Sequence, residues 1–343
     1  MKRFSLAVVL MTLVVALGCD FDKEKGILMA AGSYGDLAVV VSNGNLKPLA
    51  ERFVGGLNTP KTFVIKEEGL FNPDIFLSNQ LDMGKGYKNA ILLLRIGDGG
   101  AVEKTVKKKI SDEAWEKLGS GGGGLVQLND PWATYQTVLV VASRDRNSLG
   151  SLLRNKTDKI RDLFEESSRQ RILRRNRYNG LDTNQMNAYR DRFGFSLEIP
   201  IDFKQNQLQP DGFPGLELLK SAPSRGISIS WMGTEDVEWL MDQRAALVLM
   251  RQEMGEKLHS EEIIPETLVW EETKLGETEV LKMEGAWTST RFAGGGAFWC
   301  YFIPDPQNNR VICLDLLVYG PGLDKMPLFR NLAAIASSFT LHQ

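Results

Sequence analysis

The sequence predicts an α+β protein of two packed α/β halves, with long amphipathic helices against a largely antiparallel sheet in the C-terminal half. Three observations carry this. Before residue 180, continuous apolar runs alternate with helix-spaced segments, and such runs suit strands covered on both faces. After it, apolar and polar residues alternate singly, the pattern of half-buried strands. Between the two lies a long segment whose apolar residues form one helical stripe.

The N-terminus reads as a secretory signal. Lys2 and Arg3 precede an apolar run over residues 4–17, followed by Ala16-Leu17-Gly18-Cys19. A basic end, a short apolar core and small residues before a cysteine make a lipoprotein signal over residues 1–18, with Cys19 as the lipidated residue. The run is shorter than the roughly 20 residues that span a bilayer. The expectation is a soluble body on a lipid anchor, with residues 19–33 as a tether that holds it roughly 20 Å from the membrane.

In the first half, residues 34–180, Leu37-Ala38-Val39-Val40-Val41 reads as a strand ending at the turn Ser42-Asn43-Gly44. Leu46, Leu49, Ala50, Phe53 and Val54 then follow with helical spacing. Residues 90–94 and 138–142 are two further strands, and residues 102–110 fit helix or strand equally. Apolar positions from Leu149 to Leu173 mark the long helix, and Asn179-Gly180 ends it and sets the boundary between halves.

The second half, residues 181–343, opens with Phe193, Phe195, Leu197, Ile199, Ile201 and Phe203 in strict alternation, with Pro200 placing this strand at a sheet edge. Ile227, Ile229 and Trp231 alternate likewise. A helix follows over residues 235–258. One hairpin turns near Gly276 and another through residues 304–309, and a helix over residues 327–339 closes the chain.

The inventory narrows the chemistry. Net charge is −2, and loss of Lys2 and Arg3 with the signal makes it −4, so no global field attracts nucleic acid. With two histidines, a Ser-His-acid arrangement must use His259 or His342, and a zinc site lacks ligands. No catalytic residue, metal or cofactor is predicted. Residues 55–62 look superficially like a phosphate loop, but Pro60 stands where glycine must precede Lys61, and no nucleotide is expected.

Several groups remain as candidates. In the last hairpin a symmetric register sets Cys300 opposite Cys313, close enough for a disulfide or for two packed thiols. Arg169, Arg171, Arg174, Arg175 and Arg177 crowd the end of the long helix, with Arg190 and Arg192 beyond. They read as a solvated face or as a contact for anionic headgroups, glycan phosphates or an acidic partner. Glu165-Glu166 and Glu261-Glu262 are adjacent carboxylates whose expected state is solvated. Gly119 to Gly124 reads as an exposed loop, and Gly294-Gly295-Gly296 as a site of close backbone approach.

Short motifs are spread along the chain: Lys88-Asn89, Pro131-Trp132 with Gln136, Gly285 with Trp287, Gly295-Gly296-Ala297-Phe298, Asp305, and Tyr319-Gly320-Pro321-Gly322 with Lys325. In these the chain resembles a family of Gram-negative lipoproteins known as domain of unknown function 4837. The family differs in tending to Arg at Lys88 and Pro at Ala297. The resemblance implies a lipid-anchored envelope protein and no particular activity. The second half also looks like the α+β sandwich of photosystem assembly and nuclear-transport accessory proteins, a fold used for binding.

The expected function is therefore a non-enzymatic binding or assembly-support lipoprotein of the cell envelope, the outer membrane favoured over the inner. Its expected partners are the membrane, through the anchor, and an envelope protein. Trp132, Gln136, Trp287, Gly295, Gly296 and Phe298 are expected to share one binding surface. A carrier of a small apolar ligand or lipid is the alternative, and a carboxylate-based hydrolase the third reading.

Overall fold

The computed structural model describes residues 21–22, 27–58, 61–63, 66–120, 122–206 and 213–342. The signal segment and Cys19 lie outside them.

The first half forms a five-stranded sheet. Its strands are β1 (Asp36–Val41), β2 (Asn72–Leu77), β3 (Asn89–Arg95), β4 (Gly124–Asn129) and β5 (Thr137–Ser143), in the order β2-β1-β3-β5-β4. All neighbours are parallel except β4 against β5. The three apolar runs occupy the centre and are buried on both faces, as their composition requires. Helix α1 (Lys47–Leu57) covers one face, and α2 (Ala101–Lys109) and α3 (Asp112–Ser120) cover the other. The segment 102–110 is thus helical, with Val102 and Val106 buried one turn apart.

Helix α4 (Arg146–Asn179) is longer at both ends than its apolar stripe. Asp145 caps it by accepting from the Ser148 N–H at 2.7 Å, and Gly180 (φ 109°) stops it. Helix α5 (Thr183–Phe193) follows.

The second half is a seven-stranded, wholly antiparallel sheet: β6 (Lys204–Gln205), β7 (Gly215–Ser221), β8 (Ser224–Gly233), β9 (Glu261–Leu275), β10 (Thr278–Ser289), β11 (Gly295–Asp305) and β12 (Arg310–Val318). Their order is β6-β7-β8-β12-β11-β10-β9. One face carries α6 (Val237–Asp242) and α7 (Arg244–His259); the other carries α8 (Met326–Ala336). The helix expected over residues 235–258 is therefore two helices, broken at Gln243 (ψ 72°).

The two halves share one apolar core, which joins the inner face of the first sheet to that of the second through α4 and α8. Phe71 meets Phe164 edge-on within it, and Trp299 stacks on Phe329 at 4.5 Å. Polar groups lock the seam. Arg330 of α8 pairs with Glu165 of α4 at 2.5 Å and donates to the Leu70 carbonyl. Glu68, from the first half, accepts from the backbone N–H groups of Lys325 and Met326 at 2.7 and 2.9 Å, so it caps α8 across the seam.

Three expectations change here. The tether does not run free to residue 33: Ile27–Leu28 pairs with Phe21–Asp22, and Met29 and Ala31 bridge to Thr134 and Tyr87. The alternating stretch from Phe193 to Phe203 is not one strand. Only Phe195–Ser196 pairs, with Thr340–Leu341, and Pro200 makes a single bridge to Leu181. Its alternation buries Phe195, Leu197, Ile199 and Phe203 in the shared core all the same. Finally, Asp305 faces Arg310 and Cys300 faces Asp315, a two-residue shift from the symmetric register. The turn is tighter than expected, a single 3-10 turn at Pro306–Asn308.

Candidate functional site

The second sheet places an unusual row of side chains beneath α7. Register sets Glu217 (β7) opposite Ser228 (β8), Ser228 opposite Asp315 (β12), and Asp315 opposite Cys300 (β11). Each sits between two apolar residues that point the other way, into the shared core. Strand alternation would ordinarily turn such a polar row to water. Here α6 and α7 cover it, and Ser228, Asp315 and Cys300 are wholly buried.

Two cations and one more acid complete the group. Arg251, wholly buried on α7, lies 3.2 Å from Glu261 and 3.1 Å from Asp315, with its guanidinium 4.0 Å over the Phe298 ring. Its Nε and Nη1, and Asp315 Oδ1, have no hydrogen-bond partner among the described residues. The Asp315 and Glu261 charges outweigh burial and raise the Arg251 pKa. Burial pushes the Glu261 carboxyl up to about 7, against the pull of Arg251 and His259. Glu261 is thus not the solvated carboxylate expected from the sequence; it closes the row at the start of β9, while Glu262 is exposed.

His259, the last residue of α7, donates through Nδ1 to Glu217 at 3.0 Å, and its Nε2 lies 2.9 Å from Ser228 Oγ. Glu217 also accepts from Asn206 at 2.5 Å. Burial works against the His259 cation, but the Glu217 hydrogen bond and the charges of Glu261, Glu217 and Asp315 outweigh it, and the pKa rises. The spacing is that of a Ser-His-acid triad. Its surroundings are enclosed. Ser228 has no exposed surface, and β8 pairs along both edges, so its backbone N–H groups serve the ladder and are not free for an oxyanion. The other histidine, His342, lies 2.6 Å from Ser196 Oγ, and among the described residues no acid is bonded to it.

Cys300 and Cys313 are diagonal neighbours on this same face, Cys313 standing opposite Phe302. Both are free and buried, with sulfurs 3.1 Å apart. Burial and the contact with Cys313 push the Cys300 thiol well up. Among the described residues, no three His, Cys, Asp or Glu side chains are grouped to hold a metal.

The residues expected to share a binding surface are dispersed instead. Gln136 is buried in the first half, donating to the Lys85 and Tyr87 carbonyls at 2.7 Å each, and Trp132 packs against the outer core of that sheet. Trp287 and Phe298 are buried in the core under α7. Each pairs with a glycine across the strands: Gly285 faces Phe298, and Gly296 faces Trp287. A Cβ on Gly285 would come within 2.8 Å of the Phe298 ring, and one on Gly296 within 2.8 Å of Trp287 Nε1 and 2.6 Å of the Val318 carbonyl. Gly285 and Gly296 make room for large rings, whereas a Cβ on Gly295 would lie 2.4 Å from the Trp287 carbonyl oxygen, so the close approach there is to the neighbouring strand.

The helix-end arginines do not form a free cationic patch either. Arg171 is buried, bonded to the Lys88 and Tyr135 carbonyls and to Asn89, and burial lowers its pKa to about 10. Arg169 pairs with Glu166, Arg177 with Glu198, and Arg174 stacks on Tyr135. Arg175 is exposed.

One exposed apolar feature lies next to motif residues. Phe292, half exposed in the loop between β10 and β11, meets Tyr319 edge-on at 5.7 Å, and Tyr319 in turn lies against Trp287. Leu323, also half exposed, stands on the adjoining loop, whose shape Lys325 fixes by donating to the Gly320 and Leu323 carbonyls. No helix among the described residues is long and apolar enough to cross a membrane.

Comparison with known proteins adds the following. No curated protein matches the chain. A crystal structure from Bacteroides thetaiotaomicron VPI-5482 is similar at 12% identity and TM-score 0.28, over 44% of this chain and 46% of that one, so the likeness spans less than half of that protein. The Saccharomyces cerevisiae Ran-binding protein Mog1p is similar at 12% identity and TM-score 0.31, over 43% of this chain and 90% of that one. Neither likeness bears on function. Residues 182–338 match the family model described as a domain of unknown function, DUF4837. The antiparallel half of the chain, with every member of the buried polar row, belongs to the DUF4837 family.

Proposed function

We propose that the protein is a lipid-anchored envelope protein, held at the outer membrane through Cys19, that acts by binding an envelope protein partner rather than by catalysis. The observation that carries this reading is the contrast between two groups of side chains. The acid–base groups are enclosed beneath α7, whereas Phe292, set against Tyr319, and Leu323 are half exposed on two loops. Apolar side chains exposed on loops are what protein interfaces use as anchors. The carrier reading has less support, because Met250, Met254, Met283, Phe298 and Phe302 fill the core of the second half and are buried. The test is capture of the protein from cells by cross-linking, with Cys19→Ser as control. A reproducible envelope protein partner, lost with the anchor, supports the reading. Capture of lipid alone, or release of product from acyl substrates abolished by Ser228→Ala, overturns it.

A further inference from the structure

A separate groove lies in the first half, between α1 and the start of α4. It encloses about 430 Å³ and is lined by Arg52 of α1 and by Arg146, Asn147, Gly150, Ser151 and Arg154 of α4. Three guanidinium groups and no carboxylate line it. The nearest acids in sequence have partners of their own: Glu51 faces Lys47 at 4.0 Å, and Asp145, next to Arg146, caps α4 by accepting from the Ser148 N–H. Arg52, Arg146 and Arg154 are exposed and make no ion pair among the described residues, while Arg154 is steadied by Ser151 Oγ at 3.0 Å.

The convergence has a structural cause. Gly150 forms the floor, where a Cβ would already touch Leu49 of α1 and Arg154 at 3.5 Å. The two helices pass close together at this point, and Arg52 of α1 lines the same groove as Arg146 and Arg154 of α4. Three like charges held together repel unless an anion joins them. Guanidinium groups favour phosphate because their paired N–H groups match its oxygens. Asn147 and Ser151 supply neutral donors.

We infer that this groove binds a phosphate group, presented either by a phospholipid headgroup or by a soluble phosphorylated ligand. The inference stands apart from the Phe292–Leu323 loops and does not depend on them. The test uses the full chain with two probes: inorganic phosphate followed by calorimetry, and sedimentation with phosphatidylglycerol vesicles against phosphatidylcholine vesicles. Arg52→Gln/Arg146→Gln/Arg154→Gln is the groove variant, and Arg175→Gln, exposed near the far end of α4, is the control. Circular dichroism confirms that both fold. The expected result is binding weakened by about tenfold or more in the groove variant and unchanged in the control. Loss with inorganic phosphate assigns a soluble ligand, and loss with anionic vesicles alone assigns a headgroup. No binding of either probe by the wild type, or equal binding by the groove variant, overturns the inference.

Discussion

Arg251 and Asp315 form a 3.1 Å ion pair in which neither residue reaches solvent. Enclosing both charges is costly, and the pair holds α7 to the sheet only because Glu261 and the Phe298 ring share the guanidinium. Arg251→Ala would leave two buried carboxylates facing each other. It is expected to destabilise the fold by about 3–5 kcal/mol, read by urea denaturation. Arg251→Met combined with Glu261→Leu and Asp315→Leu removes all three charges and is expected to recover most of that loss. A triple variant as unstable as the single one would show that the charges stabilise in their own right.

The same cluster makes stability depend on pH. Glu261 is raised from the ordinary 4.5 to about 7, and His259 is raised above its ordinary 6.5. For both groups the folded pKa exceeds the unfolded one, so their stabilisation is complete below the unfolded value and is lost as pH rises through the folded value. Wild type is therefore expected to lose stability relative to Glu261→Gln between about pH 4.5 and 7. A difference that is flat over this range, or that grows with pH, would refute the assignment.

Two Gly→Ala changes are expected to act in opposite directions. Gly296 has no room, since the added Cβ would press on the Val318 carbonyl, and strands rather than a flexible side chain would have to move. Gly296→Ala is expected to cost about 1–3 kcal/mol. Gly55 is exposed in the interior of α1 with open space around it, and Gly55→Ala is expected to gain about 1 kcal/mol through helix propensity. Thermal melts of the two variants decide this.

Cys300 and Cys313 are buried thiols, and the high pKa of Cys300 keeps its reactive thiolate scarce. A thiol reagent is expected to find neither in the native protein and both after unfolding. Fewer than two in the unfolded, unreduced protein would mean that the pair is oxidised.

Much of the fold was legible from the chain. The runs at residues 37–41, 90–94 and 138–142 are the central strands of the parallel sheet, and the turn at Gly276 stands where it was placed. The polar row was not legible, for a physical reason. In Ile227-Ser228-Ile229-Ser230 and Leu314-Asp315-Leu316 the alternation says that one face is apolar, but not that a helix covers the other. Arg251 was the available signal, a charge lying between Leu247 and Met254 on the buried side of α7. The shared binding surface was misplaced because short motifs do not say which way a side chain points: Trp132 and Gln136 pack in the first half, and Trp287 and Phe298 in the core under α7. The phosphate groove joins residues about 100 positions apart in sequence, so no spacing could reveal it.

The most direct test of the binding account is site-specific photo-cross-linking in cells, with the reactive group placed at Phe292 and, for comparison, at Val269, an exposed apolar position on β9. The account predicts a discrete protein adduct from position 292 and none from position 269. Equal labelling from both positions, or none from either in the lipidated protein, would contradict it.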